Sequence, residues 1–309
     1  MNPVVPVLML VSVLIPTKTW FTPDQPILVH VKADREVTLA FTDFAGQNID
    51  PVKPAHVKAE TTIDIKPLFP LNNPGTYLLY ALPRGGSIRD FLGTPLVIEV
   101  RADKRPGAPT GAMIIKLHPL TYARLTTDRG PMTITFFYDV APNTVANFIS
   151  LASGGFYDNL AFFKIVPDFV IQSGDPRNDG TGGPGYQLHH EFNDRPHEEG
   201  VLAMSRQLDP NEPGAMPRSE FANSAGSQFF ICLNYENTRQ LDRRYTAFAR
   251  VIDGMETVRA IASTPPTTRP AQAVPKITRL EIRPVTAADN PYAKLADLAT
   301  TRSVTAPPR

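Results

Sequence analysis

The chain has 309 residues, of which 42% are hydrophobic and 20% are charged, and its formal net charge is +1. This length allows two domains with separate cores, and this composition is typical of globular proteins. The small net charge argues against nucleic acid or an anionic membrane as a partner, and the single cysteine excludes an intrachain disulfide and a multi-cysteine metal site.

The chain begins with an apolar segment, residues 4–16. Its β-branched residues predict a buried first strand from Leu8 to Ile15. A signal segment is the alternative, although a basic region before it and a small-residue cleavage site after it are missing. The strand interpretation favours the cytoplasm, whereas the signal interpretation places the protein in the cell envelope or outside the cell.

Residues 1–105 contain short runs that alternate apolar with polar residues, and turn-forming residues separate these runs. Several short strands at this spacing, with no convincing helix, predict a β-sandwich. The histidines and carboxylates of this domain are scattered, so we expect a binding, spacing or anchoring module without a catalytic cluster. The predicted strands are Ile27–Val31, Val37–Phe41, Thr61–Ile65, Tyr77–Leu82 and Leu96–Val100.

Composition divides the rest of the chain into three parts. Residues 106–112 are predicted to be a linker, because proline and glycine are frequent there. Residues 113–284 are predicted to form a second globular domain. The tail, residues 285–309, is rich in alanine, threonine and proline, and this composition favours disorder.

The second domain is also predicted to be mainly β. A helix is expected to begin at Pro142, where proline costs no hydrogen bond, and a second one spans Glu256–Ala262. The strands between them are too apolar to lie at a surface, which favours a closed β-barrel with two flanking helices. These strands are Phe162–Ile165, Phe169–Gln172 and Phe229–Leu233, and a further strand, Met132–Tyr138, is predicted before the first helix.

Several sequence blocks follow one another in a recognisable order. They are APNTVANF (141–148), GFY (155–157), FFKIVPDFVIQSGD (162–175), GTGGPGY (180–186), GVLAM (200–204), NSAGSQFFICL (223–233) and LDRRYTAF (241–248). Together they resemble the cyclophilin-type peptidyl-prolyl cis/trans isomerases, in a bacterial-like form, over residues 115–284. The resemblance implies a cyclophilin-like barrel that needs no cofactor and no metal, and that acts on proline-containing peptides and unfolded or partly folded proteins.

Isomerisation of an X-Pro bond makes simple chemical demands. Amide resonance gives a barrier of about 18–20 kcal/mol, and no bond is broken on the way over it. The enzyme has only to bind the twisted amide better than the planar one. An apolar pocket for the proline ring, polar groups for the flanking peptide and a cationic donor near the prolyl nitrogen meet that demand.

The resemblance also implies which residues act. Lys164, Gln172 and Phe169 stand at the catalytic positions. The substrate-binding positions are Val170, Ser205, Arg206, Gln228, Phe230, Leu241 and Tyr245. For Arg206 we expect only the main chain to matter, with the side chain in solvent. An ordinary apolar core and a buried polar network are the alternatives for these apolar and amide side chains.

Two departures from the family pattern stand out. Lys164 replaces the arginine that the family usually carries, and a lysine cannot present a planar fork of donors. Losing one charge-assisted hydrogen bond predicts a rate lower by about 10- to 100-fold, so a non-catalytic proline-peptide-binding or chaperone module is the alternative function. Residues 211–222 look like an insertion, predicted to be a surface loop, with a substrate gate as the alternative.

Other motifs give weaker signals. The histidines and carboxylates of residues 189–191 and 197–199 do not have the spacing of a metal site, and we predict no metal. The glycine-rich residues 180–185 lack the lysine and the following helix of a phosphate loop. Cys232 lies in an apolar strand, which predicts an inert buried thiol.

Overall fold

The computed structural model describes residues 13–52, 55–71, 73–104, 107–212, 216–264 and 274–293. The chain divides into two compact units, one of Met1–Thr121 with Arg283–Arg309 and one of Tyr122–Ile282. Within the described ranges, no helix combines the length and the apolar character needed to cross a bilayer.

The first unit consists of antiparallel strands. A three-stranded sheet has the order β1-β3-β7, and a second sheet has the order β2-β10-β9-β8-β4-β5, with β6 also paired to β4. A 3-10 turn, Ile88–Asp90, precedes β9. The strands are β1 Leu14–Pro16, β2 Trp20–Phe21, β3 Leu28–Val31, β4 Val37–Asp43, β5 Asn48–Ile49, β6 His56–Val57, β7 Thr61–Asp64, β8 Gly75–Pro83, β9 Leu92–Ala102 and β10 Met113–Pro119.

One hydrophobic core joins these two sheets. Val29 and Val31 alternate along β3, and Leu39 and Phe41 alternate along β4, so each strand turns every second side chain towards that core. Phe41 stacks on Phe69 with ring centroids 4.6 Å apart. Two sheets packed on a shared apolar layer form a β-sandwich, which confirms the predicted architecture.

The domain limits differ from the sequence prediction at β10. Met113–Pro119 was assigned to the second domain, but it pairs along its whole length with β9, and Ile115 and Leu117 are buried in the first core. Residues 107–112 of the predicted linker therefore belong to the connection between β9 and β10, whereas residue 106 lies outside the described residues. Asp103 N donates to Ala112 O at 2.7 Å across this connection. An alternating strand pattern shows that a face is buried, but it does not show against which sheet.

The two ends of the chain fall only partly in the described residues. Of the predicted first strand, Leu8 to Ile15, the residues up to position 12 lie outside them, and β1 begins at Leu14. In the predicted disordered tail, residues 294–309 also lie outside them. Residues 285–293 are ordered, because Val285 is fully buried and the Tyr292 hydroxyl donates to Thr121 O at 2.8 Å.

The second unit is a strongly curved eight-stranded sheet with the order β13-β14-β16-β15-β17-β12-β11-β18. Its strands are β11 Thr121–Thr127, β12 Gly130–Phe136, β13 Lys164–Val166, β14 Val170–Ser173, β15 Val201–Met204, β16 Phe229–Cys232, β17 Ala247–Asp253 and β18 Ile277–Pro284. The segment before β13 bridges to the start of β18, where Asn159 N donates to Ile277 O and Ile277 N to Leu160 O, both at 2.8 Å. These bonds join the two ends of the sheet, so the predicted closed barrel is confirmed.

Two helices flank the barrel, as predicted. They are α1, Pro142–Ser153, and α4, Met255–Ala262; two single turns, α2 Ser219–Ala222 and α3 Tyr235–Thr238, and a 3-10 turn, Arg239–Leu241, are additional. Phe148 of α1 is fully buried, and its ring packs against Tyr157 at 4.8 Å and Phe248 at 5.2 Å. This aromatic cluster fills the barrel and fixes the strands that carry the site.

Helix α1 is capped by a distant side chain. Its N-cap residue, Ala141, has no side-chain acceptor. Glu191 supplies one instead: Oε1 accepts from Asn143 N and Nδ2, and Oε2 accepts from Thr144 N and Oγ1, at 2.8–3.1 Å. A carboxylate at this position satisfies exposed N–H groups and complements the positive end of the helix dipole.

Replacing Glu191 by alanine is expected to lower the free energy of unfolding by about 1–2 kcal/mol, because the helix loses its cap. Thermal or urea unfolding of the full chain measures this loss. Glu236→Ala is the matched control, since its side chain is 80% exposed and its ion pair with Arg239 spans 3.9 Å. An equal effect of the two substitutions would contradict the capping role of Glu191.

Candidate functional site

Neighbouring strands of the barrel bring the predicted site residues into one row. Lys164 of β13 lies opposite Gln172 of β14, Gln172 lies opposite Phe230 of β16, and Phe230 lies opposite Ala203 of β15. Directly opposed residues of antiparallel strands share a face of the sheet. Cation, amide and aromatic ring therefore stand side by side on the same surface.

This row is part of a groove with a volume of about 1240 Å³ in the second unit. The groove also contains the glycine-rich loop of residues 180–185, which follows β14. All the residues predicted from the sequence line it, namely Lys164, Phe169, Val170, Gln172, Ser205, Arg206, Gln228, Phe230, Leu241 and Tyr245.

One part of the groove is an apolar pocket. Its buried base is formed by Val170, Ala203, Phe230 and Cys232, and its partly exposed rim by Phe169, Leu241 and Tyr245. The Tyr245 ring stands edge-on to the Phe230 ring at 5.5 Å between centroids. A pocket with aromatic and aliphatic walls of this kind suits a small apolar ring. Cys232 is fully buried as predicted, and burial raises the pKa of its thiol.

A buried histidine supports this pocket from behind. The sequence suggested His197 only as a weak metal candidate, but its ring lies 6.2 Å from Phe230 and 6.5 Å from Tyr245. Its Nδ1 donates to Asp242 Oδ1 at 2.9 Å. Burial lowers the pKa of His197 more than Asp242 raises it, so the ring is neutral at pH 7. No local sequence pattern identifies this support, since Asp242 lies 45 positions away.

The other part of the groove is a network of amides. Gln172 is 8% exposed, and its Nε2 donates to Ser205 Oγ at 3.0 Å and to Gln228 Oε1 at 2.9 Å. Gln228 Nε2 in turn donates to Gly180 O at 3.1 Å and Gly182 O at 2.8 Å. These bonds use both amide hydrogens of each glutamine and fix the side chains. Among the described residues, no side chain donates a hydrogen bond to the Oε1 atom of Gln172, and Gln172 lines the groove.

The glycine-rich loop presents carbonyl groups to Gln228, not the N–H groups of a phosphate site. A side chain at Gly182 would collide with Asp175 Oδ1, so only glycine allows this close approach. The loop is thereby identified as a wall of the groove.

Lys164 is exposed at the edge of the row. Among the described residues, its ammonium group makes no hydrogen bond within 3.5 Å and no ion pair within 4.0 Å. The positive charge next to the pocket is therefore not neutralised by a carboxylate of the described residues.

The side chain of Arg206 was predicted to point into solvent, and this prediction was wrong. Its side chain is 1% exposed and its guanidinium lies 4.3 Å from the centroid of the Tyr245 ring. Nε donates to Arg244 O at 3.0 Å, and Nη2 contacts Glu212 Oε1 at 2.5 Å. The sequence could not show this, because the counter-charge lies in the inserted residues.

Comparison with known proteins identifies the second unit. The family model described as "Cyclophilin type peptidyl-prolyl cis-trans isomerase/CLD" matches residues 122–282, the limits of that unit. A peptidyl-prolyl cis-trans isomerase of Synechococcus elongatus is 42% identical over 134 residues, 43% of this chain and 82% of the relative. Peptidyl-prolyl cis-trans isomerase B of Bacillus subtilis is 37% identical over 134 residues, 43% of this chain and 83% of the relative.

A solved structure is also similar. It is a Cryptosporidium parvum cyclophilin type peptidyl-prolyl cis-trans isomerase, crystallised in the presence of dipeptide Ala-Pro. It is 28% identical, with a TM-score of 0.46, over 53% of this chain and 99% of that one. The family match spans more than half of the chain, and the two bacterial relatives are covered over most of their length. The chain therefore belongs to the cyclophilin family of peptidyl-prolyl cis-trans isomerases.

Proposed function

We propose that the second unit isomerises X-Pro bonds of peptides and partly folded proteins, with Lys164 as the cationic donor. The observation that carries this proposal is the row in which Lys164, Gln172 and Phe230 face the same groove. A charge, an amide acceptor and an apolar pocket are the three parts that the reaction needs, and they are adjacent.

Substrate binding is divided between the two parts of the groove. The pyrrolidine ring enters the pocket between Phe169, Phe230 and Leu241, where burial of apolar surface supplies the binding energy. The flanking peptide lies along the amide network, where Gln172 Oε1 is the acceptor. Ser205 and Arg206, which directly follow β15, line the groove beside this network and offer main-chain groups to the peptide. Holding the peptide on both sides of the proline leaves rotation about one bond as the motion to be catalysed.

Catalysis requires that the twisted amide be bound more tightly than either planar form. In the twisted state the lone pair of the prolyl nitrogen is no longer delocalised, and a nearby cation stabilises it. Lys164 supplies that charge from the edge of the pocket. As a compact ammonium it makes one directed contact where arginine makes two, so we expect turnover below that of an arginine-containing relative.

A proline-peptide clamp without catalysis is the alternative function. The observation that favours it is that the ammonium group of Lys164 makes no hydrogen bond or ion pair with the described residues, because an ammonium without such a contact is poorly oriented. The clamp and the enzyme share the pocket and differ only in the rate of isomerisation.

The test measures cis/trans exchange of a short X-Pro peptide by NMR, with the full chain added in catalytic amounts. We expect exchange faster than the uncatalysed reaction, which takes tens of seconds or more. Peptide binding without acceleration would overturn the enzymatic proposal and establish the clamp. Bovine serum albumin at the same concentration controls for nonspecific effects.

A further inference from the structure

The insertion, residues 211–222, forms ion pairs on both sides of residues 213–215, which lie outside the described residues. Its partners are Arg206 and Asp209, which follow β15, and Arg244, which precedes β17. On one side, Glu212 Oε1 contacts Arg206 Nη2 at 2.5 Å and Arg244 Nη1 at 3.3 Å. On the other, Arg218 makes a two-pronged bond to Asp209, with Nε–Oδ2 at 3.0 Å and Nη2–Oδ1 at 2.9 Å. Glu212 is thereby joined to Arg206, which lines the groove, whereas a tolerated surface loop needs no such contact.

The contact between Glu212 and Arg206 is almost completely buried. The Arg206 side chain is 1% exposed and that of Glu212 is 14% exposed. Burial would raise the pKa of Glu212, but its hydrogen bonds to Arg206 and Arg244 outweigh this and lower the pKa. The carboxylate therefore stays charged, and without it the guanidinium would be a buried charge with no carboxylate partner.

Arg206 connects this carboxylate to the pocket. Its guanidinium stacks on the Tyr245 ring at 4.3 Å, and its Nε donates to the carbonyl of Arg244, the residue immediately before Tyr245. The Tyr245 ring in turn packs edge-on against Phe230. The guanidinium thus holds both the ring and the main chain of this wall of the pocket.

We propose that Glu212 is a positioning residue for the proline pocket: through Arg206 it fixes the Tyr245 wall against which the substrate ring packs. The inference rests on the proposed function for its consequence in catalysis. Glu212 then supports the substrate-binding pocket through Arg206, although it does not itself touch the substrate.

Replacing Glu212 by glutamine keeps the size of the side chain and removes its charge. We expect KM for an X-Pro peptide to rise by about 5- to 10-fold with kcat changed less than about two-fold, since the wall is displaced while Lys164 is not. Glu220→Gln is the matched control, because it removes a charge from the same insertion at a side chain that is 62% exposed. It is expected to leave KM unchanged.

A double-mutant cycle separates positioning from general loss of structure. If Glu212 acts through the ring, Glu212→Gln has no further effect on KM in the Tyr245→Leu protein. Additive effects, or an unchanged KM in Glu212→Gln, would overturn the proposal. If Glu212→Gln does not fold, Glu212→Gln combined with Arg206→Met removes the buried charge as well, and the same rise in KM is expected.

Two readouts remain informative if the wild-type chain proves not to be an isomerase. The dissociation constant of the peptide and the NMR resonances of the Tyr245 ring both report the wall directly. Both are expected to change in Glu212→Gln and not in Glu220→Gln. Absence of isomerisation alone would overturn the proposed function, whereas unchanged ring resonances and peptide affinity would overturn the role of Glu212.

Discussion

Replacing Lys164 by arginine is expected to raise kcat/KM for a short X-Pro peptide by about 10- to 100-fold. Gln172 lies opposite Lys164. Both amide hydrogens of Gln172 are already donated, so its Oε1 can accept a hydrogen bond from a guanidinium at position 164. An arginine at this position can donate one hydrogen bond to Gln172 and a second one towards the prolyl nitrogen of the substrate. Lysine makes one of these contacts at a time.

The measurement compares wild type, Lys164→Arg and Lys164→Met in the same NMR exchange experiment, with peptide affinity determined in parallel. Lys164→Met is expected to lose catalysis and keep its affinity within about three-fold, because the pocket is intact. Lys276→Arg, an exposed lysine outside the groove, is the control. Equal rates for lysine and arginine at position 164 would contradict the bracing argument.

Replacing Gln172 by leucine is expected to lower kcat/KM by about 10- to 100-fold and to cost about 1–3 kcal/mol of stability. The substitution removes the donor to Ser205 Oγ and to Gln228 Oε1, and it removes the acceptor next to Lys164. Gln228 stays tied to the glycine-rich loop by its own two bonds, so the groove keeps its wall. The loss should therefore fall mainly on turnover.

Gln240→Leu is the matched control for this substitution. Gln240 is exposed, does not line the groove, and its described side-chain hydrogen bond is the local one from Nε2 to Asn237 O. Unfolding by urea gives the stability change, and single-turnover exchange gives the rate. A Gln172→Leu protein with wild-type turnover would show that the amide network serves stability alone.

The sequence predicted best where a pattern is local. Strand β4 was predicted at Val37–Phe41 and spans Val37–Asp43, and the helix predicted from Pro142 is α1. These elements follow from alternation of apolar residues and from proline at a helix start, which need only neighbouring positions. Strand β10 has the same local pattern, but its partner is β9 of the first unit. The second unit therefore begins at Tyr122 and not at the predicted Met113.

Charge pairing is where sequence prediction failed. Arg206 looked like a solvent-facing residue because a charged side chain is rarely buried without a partner. Its partner, Glu212, is six positions away in an insertion, and Arg244 and Tyr245 are more than thirty positions away. In the same way, the cap of α1 is Glu191, which accepts hydrogen bonds from N–H groups 47 and 48 positions away in the sequence.

The sequence by itself determined the family, the two β-rich domains and the identity of the residues that line the groove. Ordered motifs and periodicity carry that information, since each depends on residues close together in the chain. Only the tertiary structure decided the boundary at β10, the burial of Arg206, and the supporting roles of His197, Glu191 and Glu212. These features depend on which strands become neighbours and on which charged groups are then buried and need a partner of opposite charge. No local sequence pattern specifies those long-range contacts.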